Sequence, residues 1–401
     1  MRILIAHNRY QIAGGEDSAV DQDVTMLRQA GHDVTVLMVD NHAIRTGADK
    51  LHAAVRVARN PEGVGLVAEA LHRSGAELLH VHNFFPLLSP AVYAAARHAG
   101  AAVVQTLHNY RTVCANGLLL RSGRSCEKCL TGSPLWGVVH RCYRGSAAGS
   151  AAVAHMIAHH RRKETWSREV DRFVVLSEFA RRKFADAGFP EDRMVVRPNA
   201  VDDPGPPVER RRRGVLYVGR LSEEKGVAVL LEAAKAVAGE VLIVGEGDLE
   251  GTFRAAAPDN VRFLGLRPRA EVRAMMADAK ALVLPSICYE GSPMTLSEAY
   301  AAGTPVVGSR LGSFVGLIVH GRTGLHAAPG DVGDLAAQIN TIMEDGVAEG
   351  MGREARIYYE SHLTPQRALA TLETVYERAL GSAGAARPPA RPLVAEPLGR
   401  L

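Results

Sequence analysis

The chain has 401 residues, with 47 Lys and Arg against 43 Asp and Glu and a formal net charge of +4. This length allows two domains with separate cores, and so small a net charge gives no indication of nucleic-acid binding. No run approaches the roughly eighteen apolar residues of a membrane span, and Met1 leads directly into a predicted strand. We therefore expect no transmembrane segment, no signal peptide and a cytoplasmic protein.

The first predicted elements are a buried strand at Arg2–Ala6, a helix at Ser18–Ala30 and a second strand at Asp33–Val39. This is the βαβ opening of a parallel, doubly wound sheet. Gly14 and Gly15 lie in the loop before the helix, where the lack of side chains would let the backbone approach a ligand. The three spaced glycines of a dinucleotide-binding fingerprint do not occur in this loop, which argues against a nicotinamide site.

Further strands and helices alternate through the first half of the chain. They are the strands Leu78–His82, Ala102–Leu107, Arg172–Leu176 and Met194–Arg197 and the helices Pro90–His98 and Glu178–Ala187. Several of these strands are followed by polar residues, and in an open α/β sheet the carboxyl ends of the strands face the ligand crevice. Among these polar residues, His108 is the best-placed candidate for a ligand contact.

A linker is predicted at Val201–Arg213, which contains Pro204, Pro206 and Pro207 and the run Arg210–Arg213. Proline together with a charge run indicates an exposed hinge. Contact of the four arginines with phosphate or anionic lipid, and with it a peripheral membrane contact, stays open.

A second alternation of strands and helices follows the linker. Its strands are Gly214–Val218, Glu240–Val244, Val261–Leu264, Ala281–Leu284 and Pro305–Val307, and its helices are Val227–Val237, Arg269–Ala277 and Pro293–Ala302. We expect an α/β protein with two parallel-sheet domains, residues 1–200 and 201–363, and a ligand site between them. Residues 364–380, with a helix at Pro365–Leu380, are predicted to pack back, and residues 381–401 to form a disordered tail.

The stretch Glu290–Glu298 connects a predicted strand to a predicted helix. Ser292 is predicted as the N-cap of this helix and Pro293 as its first residue, since neither position needs a backbone donor inside the helix.

An anion would bind well at this helix start, where the N–H groups of Met294 and Thr295 lack acceptors. Glu290 and Gly291 come just before the anion site, and Glu298 lies about two turns into the helix on the same face as Met294. A ligand with a phosphate in the middle and hydroxyls at both ends, such as a nucleotide sugar, has this layout.

The order of several short motifs resembles the retaining glycosyltransferases of family 4 (glycosyl transferases group 1), over roughly residues 1 to 380. These motifs are Gly14-Gly15, His108, Ser177-Glu178-Phe179, Pro198-Asn199, Val218-Gly219-Arg220-Leu221 with Lys225-Gly226, Val244-Gly245-Glu246-Gly247, the pair Glu290 and Glu298, and Gly303-Thr304-Pro305-Val306-Val307. The resemblance implies the GT-B fold, in which two Rossmann-like domains face each other across a cleft.

The resemblance also implies roles for individual residues. Arg220 and Lys225 would hold the donor diphosphate and stabilise the leaving group, Glu298 would hold the ribose, and Glu290 would hold the hydroxyls of the transferred sugar. His108 would contact sugar or acceptor. The catalytic set is then Arg220, Lys225, Glu290 and His108, and the donor-binding set is Gly14, Gly15, Arg220, Lys225, Gly291, Ser292, Met294, Thr295 and Glu298.

A retaining transfer is implied, from a nucleoside-diphosphate sugar to a hydroxyl of a saccharide, lipid-linked or small-molecule acceptor. A UDP-sugar is favoured and a GDP-sugar stays open. Two fixed cations can stabilise a departing diphosphate, so we expect no catalytic cofactor or metal. The oligomeric state stays open.

The chain departs from the family pattern at two places. Ser292-Pro293 stands where family members commonly have Phe-Gly, and Gly316 stands where they usually have an acidic residue. Both departures leave the transferred sugar undetermined.

Two alternative functions are a nucleotide-sugar epimerase or hydrolase of the same fold and a zinc-containing nucleic-acid-binding protein. The second would use the basic stretches Arg161-Arg162-Lys163 and Arg181-Arg182-Lys183. These stretches lack interleaved aromatic residues and lie on helical patterns, so we predict solvated helix faces and no nucleic-acid partner. The acidic stretch Asp21-Gln22-Asp23 is likewise predicted to lie on the surface of a helix.

Four cysteines cluster in an inserted segment, His108–Arg144, that has weak periodicity. Cys126 and Cys129 have the spacing of a zinc knuckle, and Cys114 and Cys142 flank them almost evenly. Since disulfides are rare in a reducing cytoplasm and a loop of this length needs a crosslink, we predict a structural zinc ion on these four residues. Four unrelated thiols or a redox pair are the alternatives. Cys288 lies apart, beside Glu290, and is not predicted as a ligand.

Overall fold

Short apolar runs form two parallel sheets, each with helices on its faces. The computed structural model describes residues 1–11, 14–207 and 212–384. The first eight strands are β1 Arg2–Arg9, β2 Asp33–Asp40, β3 Leu78–Asn83, β4 Ala102–Leu107, β5 Leu120–Arg121, β6 Arg124–Ser125, β7 Arg172–Val175 and β8 Met194–Val196. The remaining six are β9 Val215–Val218, β10 Val241–Val244, β11 Val261–Gly265, β12 Ala281–Leu284, β13 Val306–Ser309 and β14 Gly324–Ala327.

The helices of the first half are α1 Gly15–Gln29, α2 Gly47–Arg56, α3 Pro61–Ser74, α4 Val92–His98, α5 Lys128–Thr131, α6 Trp136–Val139, α7 Ala147–Arg162, α8 Thr165–Arg168 and α9 Glu178–Asp186. Those of the second half are α10 Val227–Ala234, α11 Glu250–Ala255, α12 Arg269–Asp278, α13 Met294–Ala301, α14 Phe314–Leu317, α15 Val332–Met343, α16 Val347–His362 and α17 Pro365–Gly384. Short 3₁₀ turns occur at Asn41–Ala43, Glu191–Arg193 and Glu223–Lys225.

The strand orders place a crevice in each sheet. The first sheet runs β2-β1-β3-β4-β7-β8 and the second runs β11-β10-β9-β12-β13-β14, with parallel pairing throughout. The direction of winding reverses between β1 and β3 in the first sheet and between β9 and β12 in the second. Ligands of such sheets bind beyond the carboxyl ends of the strands at these reversals. The predicted fold class, α/β with two Rossmann-like domains, is confirmed.

The last helix returns to the first sheet. Leu372, Val375 and Tyr376 of α17 are buried in one apolar cluster with Ile3 and Ile5 of β1. This helix continues to Gly384, beyond its predicted end at residue 380. Residues 385–401 of the predicted tail lie outside the described residues, as do Arg210 and Arg211 of the predicted hinge.

Several elements differ from the sequence expectations. Helix α1 begins at Gly15, three residues before the expected Ser18, with Gly14 as its N-cap. Helices α2, α3, α7, α15 and α16 were not predicted, although α15 buries Leu335, Ala336, Ile339 and Ile342 at helical spacing. No helix among the described residues is both long and apolar enough to cross a membrane.

Candidate active site

Lys225 and Glu290 meet at the crevice of the second sheet. Lys225 ends the turn after β9, and Glu290 lies in the loop after β12. The Lys225 ammonium is 2.7 Å from Glu290 Oε1, which also accepts a 2.6 Å hydrogen bond from the Ser286 hydroxyl. Two of the four residues that sequence reasoning assigned to catalysis are therefore in direct contact.

The backbone brings these two loops together through a residue that must be glycine. Gly226 has a φ of +69°, and a Cβ at this position would lie 2.0 Å from the carbonyl oxygen of Pro285. No other residue could occupy this site without displacing the loop. The neighbouring N–H of Ile287 donates to the carbonyl of Glu224 over 3.0 Å. The approach of the two loops therefore fixes the position of Lys225 beside Glu290.

Both members of this pair are held in their charged forms. Burial opposes the charge of Lys225, but attraction to the Glu290 carboxylate outweighs it and raises the pKa of the ammonium. Burial likewise favours neutral Glu290, but Lys225, Ser286 and Arg220 together lower the pKa of its carboxyl group. The site therefore presents a fixed ammonium and a fixed carboxylate near neutral pH.

Arg220 is open to a ligand from solvent. Its side chain is 54% exposed, and the guanidinium lies 3.6 Å from the Glu224 carboxylate. The backbone of Arg220 is fixed because its carbonyl accepts a 2.8 Å hydrogen bond from the Tyr217 hydroxyl. The guanidinium can therefore move toward an anion while its Cα stays in place.

The start of helix α13 differs by one residue from the expectation. The helix begins at Met294 with Pro293 as N-cap, so the prediction of Ser292 as N-cap and Pro293 as first helical residue is wrong. The Ser292 hydroxyl instead accepts a 3.1 Å hydrogen bond from the N–H of Asn199, and the Asn199 amide donates to the Ser292 carbonyl over 2.6 Å. The N–H groups of Met294 and Thr295 still open the helix, where backbone donors lack acceptors within the helix.

Glu298 lies on this helix, away from the Lys225 pair. Its carboxylate accepts a 2.9 Å hydrogen bond from Arg269, and its side chain is 11% exposed. An acidic side chain held in place by one cation can still accept hydrogen bonds from ligand hydroxyls through its free lone pairs.

The first domain closes the other side of the site. A Cβ on Gly15 would make an ordinary 3.6 Å contact with the Met294 side chain, so Gly15 lies beside the start of α13. A Cβ on Gly291 would lie 3.2 Å from the His108 carbonyl oxygen and 3.1 Å from Leu176. Gly15 and Gly291, two of the three glycines predicted to bind the donor, thus lie where the two domains meet.

His108 belongs to a buried group of histidines. Its Nε2 is 2.9 Å from His82 Nδ1 and the two rings stack, while His80 bonds Tyr376 and Thr106. Burial keeps the pKa values of His82 and His108 well below their usual range, and that of His80 falls to about 3. These imidazoles are therefore neutral, and His108 can offer a hydrogen bond to a sugar but no positive charge.

Three further polar residues that were not predicted as site residues lie together here: Tyr10 after β1, Asn109 after β4 and Glu16 in the first turn of α1. The Tyr10 hydroxyl donates to Glu16 over 3.0 Å, and the Asn109 amide donates to the same carboxylate over 3.3 Å. Burial raises the pKa of Glu16 to about 7. The signal in the sequence was that Glu16 directly follows Gly15 and Asn109 directly follows His108, whereas Tyr10 had no such signal.

Asp23 was predicted to lie on the surface, and this is wrong. It is 3% exposed and forms a two-armed ion pair with buried Arg197, with N–O distances of 2.8 and 2.6 Å. The sequence contained a signal, because Asp23 falls between Val20 and Leu27 on the apolar face of α1. Asp21 is exposed, as predicted.

The four clustered cysteines surround one small cavity, together with Trp136 and His140. All four are free thiols. Within the described ranges no group of three or more His, Cys, Asp or Glu side chains is arranged to hold a metal ion as it stands.

The two basic stretches predicted as solvated faces contribute anchors for this segment, so that prediction is wrong for Arg161 and Lys183. Arg161 donates to the carbonyls of Cys129, Leu130 and Gly132. Lys183 pairs with Glu127 at 2.9 Å.

Comparisons with known proteins agree with this architecture. Residues 14–203 match the model of Glycosyltransferase Family 4, and residues 212–345 match the model of Glycosyl transferases group 1. Glycogen synthase of Mycobacterium tuberculosis is 32% identical over 244 residues, which cover 56% of this chain and 58% of that protein. The match thus spans just over half the length of that relative. Phosphatidyl-myo-inositol mannosyltransferase of Mycolicibacterium smegmatis is 28% identical over 368 residues, 86% of this chain and 85% of that protein.

Solved structures share the fold over nearly the whole chain. Anabaena HepE in complex with UDP and glucose superimposes with a TM-score of 0.68 at 18% identity, covering 94% of this chain and 100% of that chain. Sucrose-phosphate synthase from Thermosynechococcus elongatus gives a TM-score of 0.72 at 18% identity, covering 95% and 100%.

Two facing Rossmann-like domains with these structural neighbours define a protein of the GT-B fold. Both domains match glycosyltransferase models. The resemblance to the family 4 glycosyltransferases that the motifs indicated is confirmed.

Proposed function

We propose that this protein is a glycosyltransferase that moves a sugar from a nucleoside-diphosphate donor to a hydroxyl group of an acceptor. The observation that carries the proposal is the contact of Lys225 with Glu290 at the crevice of the second sheet, beside the start of α13. A cation, a carboxylate and a helix N-terminus in one crevice suit a ligand that combines phosphate with hydroxyl groups.

In the proposed reaction the bond between the anomeric carbon and the diphosphate oxygen breaks. Lys225 and Arg220 stabilise the negative charge that develops on the departing diphosphate, which is the usual effect of preorganised charges on a leaving group. Glu290 accepts hydrogen bonds from the sugar hydroxyls and holds Lys225 in place. The acceptor oxygen bonds to the same carbon, and its proton passes to the released diphosphate. No metal is needed for charge stabilisation in this scheme.

Retention of configuration follows from this scheme and is our first prediction. The acceptor attacks the face from which the diphosphate leaves, so the product should keep the anomeric configuration of the donor. Coupling constants of the anomeric proton in the NMR spectrum of the product measure this directly. An inverted product would rule out same-face attack, and loss of activity in chelator would rule out metal-independent transfer.

The donor is proposed to be a UDP-sugar, with a GDP-sugar as the alternative. Support comes from the structural neighbour that binds UDP and glucose. A thermal-shift screen of UDP- and GDP-sugars tests the choice, because a bound donor raises the melting temperature.

The acceptor is proposed to be a saccharide, lipid-linked or small-molecule hydroxyl compound bound by the first domain. Donor turnover in the absence of any acceptor would favour the epimerase or hydrolase alternative. Binding of nucleic acid that weakens steeply with salt would favour the nucleic-acid alternative, although Arg161 and Lys183 are engaged within the protein.

Glu298 is proposed to bind the donor ribose, which gives a second prediction. Glu298→Ala should weaken donor affinity roughly 10- to 100-fold, the scale for losing a hydrogen bond to a charged group. The turnover number at saturating donor should change much less. Isothermal titration with the nucleoside diphosphate provides the measurement.

Arg269→Ala is the matched control for this prediction, because it removes the partner of Glu298 and leaves the carboxylate. Its effect should be the smaller of the two. Unchanged donor affinity in Glu298→Ala would show that the ribose binds elsewhere.

One structural zinc ion is part of the proposal and takes no part in the transfer. A reducing compartment, the cytoplasm predicted from the sequence, would keep its thiol ligands available.

A further inference from the structure

Four of the five cysteines converge on one cavity in the first domain, although they come from different turns of the inserted segment. Cys114, Cys126, Cys129 and Cys142 line this cavity. Cys114 and Cys129 are 7% and 8% exposed. The cavity has a volume of about 10 Å³, close to that of one water-sized sphere. It can hold an ion and excludes an organic ligand.

The segment around the cavity has little regular secondary structure, although Arg161 and Lys183 anchor it and some of its apolar side chains are buried in the core of the first domain. Strands β5 and β6 have 2 residues each, and helices α5 and α6 have 4 residues each. Elements this short do not persist on their own hydrogen bonds. A crosslink among the four thiols would join these short elements to one another, and a tetrahedral zinc ion provides such a crosslink.

Polar groups at the cavity can stabilise the negative charge of four thiolates. The His140 ring lines the cavity, and its Nε2 is buried without a hydrogen-bond partner among the described residues. Lys128 also lines the cavity. Zinc with four thiolates carries two negative charges, which the Lys128 ammonium and a ring N–H of His140 would offset.

The cysteine-rich segment contacts the loop after β12 in the second domain, which contains Tyr289 and Glu290. Glu127, between Cys126 and Cys129, accepts a 2.9 Å hydrogen bond from the Tyr289 hydroxyl and pairs with Lys183. Tyr289 directly precedes Glu290 in the chain. The position of the turn from Cys126 to Cys129 therefore affects the loop that carries Glu290, the proposed contact with the sugar.

We propose that Cys114, Cys126, Cys129 and Cys142 bind one zinc ion as four thiolates, and that this ion keeps Glu127 in contact with Tyr289. Each thiol releases its proton to solvent when it binds the metal. The Cys114 thiol donates to the Asn116 side chain over 3.0 Å in this structure, so it turns toward the cavity on binding. The second part of the proposal rests on the proposed function, whereas zinc binding does not.

The zinc content of the purified full-length protein tests the site. We expect about one zinc ion per chain in the wild type, the stoichiometry of a single four-thiolate site. Serine at any one of the four positions should lower the zinc content by at least half. Cys288→Ser is the matched control and should keep the full content, since Cys288 lies outside the cavity.

Two further measurements on the wild type cover the case in which the serine variants do not fold. Cobalt-exchanged protein should show the intense thiolate-to-metal absorption of a tetrahedral sulfur site. Four thiols should react slowly in the native protein and quickly after chelator is added. Less than about half a zinc ion per chain together with four reactive thiols, or disulfides found by mass spectrometry, would overturn the proposal.

Glu127→Gln tests the second part. It should keep zinc and lower kcat/KM roughly 2- to 10-fold, the range for weakening one hydrogen bond. Glu164→Gln, an exposed glutamate that pairs with Arg168, is the control and should keep wild-type kinetics. Full zinc with unchanged kinetics in Glu127→Gln would refute the contact's role and leave the metal site standing. Absence of any transfer activity in the wild type would instead count against the proposed function.

Discussion

Lys225→Ala should lower turnover by roughly 10²-fold or more, the cost of removing one preorganised charge that stabilises a transition state. The ammonium lies 2.7 Å from Glu290 and is fixed by the turn through Gly226. Without it, the departing diphosphate in the proposed reaction would keep Arg220 and the N-terminus of α13 as its positive partners. Glu290 also loses its cation and becomes easier to protonate, which weakens its contacts with sugar hydroxyls. Initial rates at saturating donor and acceptor provide the measurement.

Lys235→Ala is the matched control for this prediction. Lys235 pairs with Glu232 at 2.7 Å, like the proposed catalytic pair, but its side chain is 55% exposed and follows α10 on the protein surface. Its replacement should leave turnover within about twofold, because an exposed ion pair contributes little. Equal kinetics for both variants would show that Lys225 does not contact the reacting group.

Asp23→Asn should lower the free energy of unfolding of the first domain by about 3–5 kcal/mol, the cost of removing one partner from a buried ion pair. The change leaves the Arg197 guanidinium buried without a compensating charge. Asp23 also lies 4.0 Å from His82, so the substitution disturbs the histidine group. Denaturant titration with a probe in the first domain measures the effect, since two domains need not unfold in one transition.

Asp21→Asn, two residues earlier on the same helix, is the control for this stability prediction. Asp21 is 3.6 Å from Arg9, and both side chains are largely exposed. Its replacement should lower the free energy of unfolding by less than about 1 kcal/mol. If both variants had the same stability, the Asp23–Arg197 contact would not be the buried pair that the structure shows.

The contrast between these two aspartates shows what local sequence can predict. Period-two and period-3.6 patterns placed the strands and helices that were predicted to within a few residues, because the burial of one face follows from the spacing of apolar residues along the chain. They missed α2, α3, α7, α15 and α16. The same patterns cannot identify a partner 174 positions away, which is the separation of Asp23 and Arg197. Asp23 was therefore assigned by its charge to the surface, although its helical position was on the buried face.

The candidate site likewise combines residues that the local sequence identified with contacts that form only when the chain folds. Arg220, Lys225, Glu290 and Glu298 were identified from short motifs, since each motif combines a strand end with a turn that a parallel sheet directs toward the crevice. The contact of Lys225 with Glu290 depends on two loops after strands β9 and β12, which are neighbours only in the folded sheet. The prediction of Ser292 as N-cap was wrong because its hydroxyl accepts a hydrogen bond from the N–H of Asn199, far away in the chain, and does not cap its own helix.

By itself, the sequence determined the two-domain α/β architecture, the motifs at the strand ends and the clustering of four cysteines, all of which depend on spacing along the chain. Only the tertiary structure decided which charged groups are buried and paired. It also decided that Arg161 and Lys183 anchor the cysteine-rich segment and that Glu127 reaches Tyr289. The physical reason is that the free energy of a charged side chain depends on its solvation and its partner, and both are set by residues that come near it only when the chain folds.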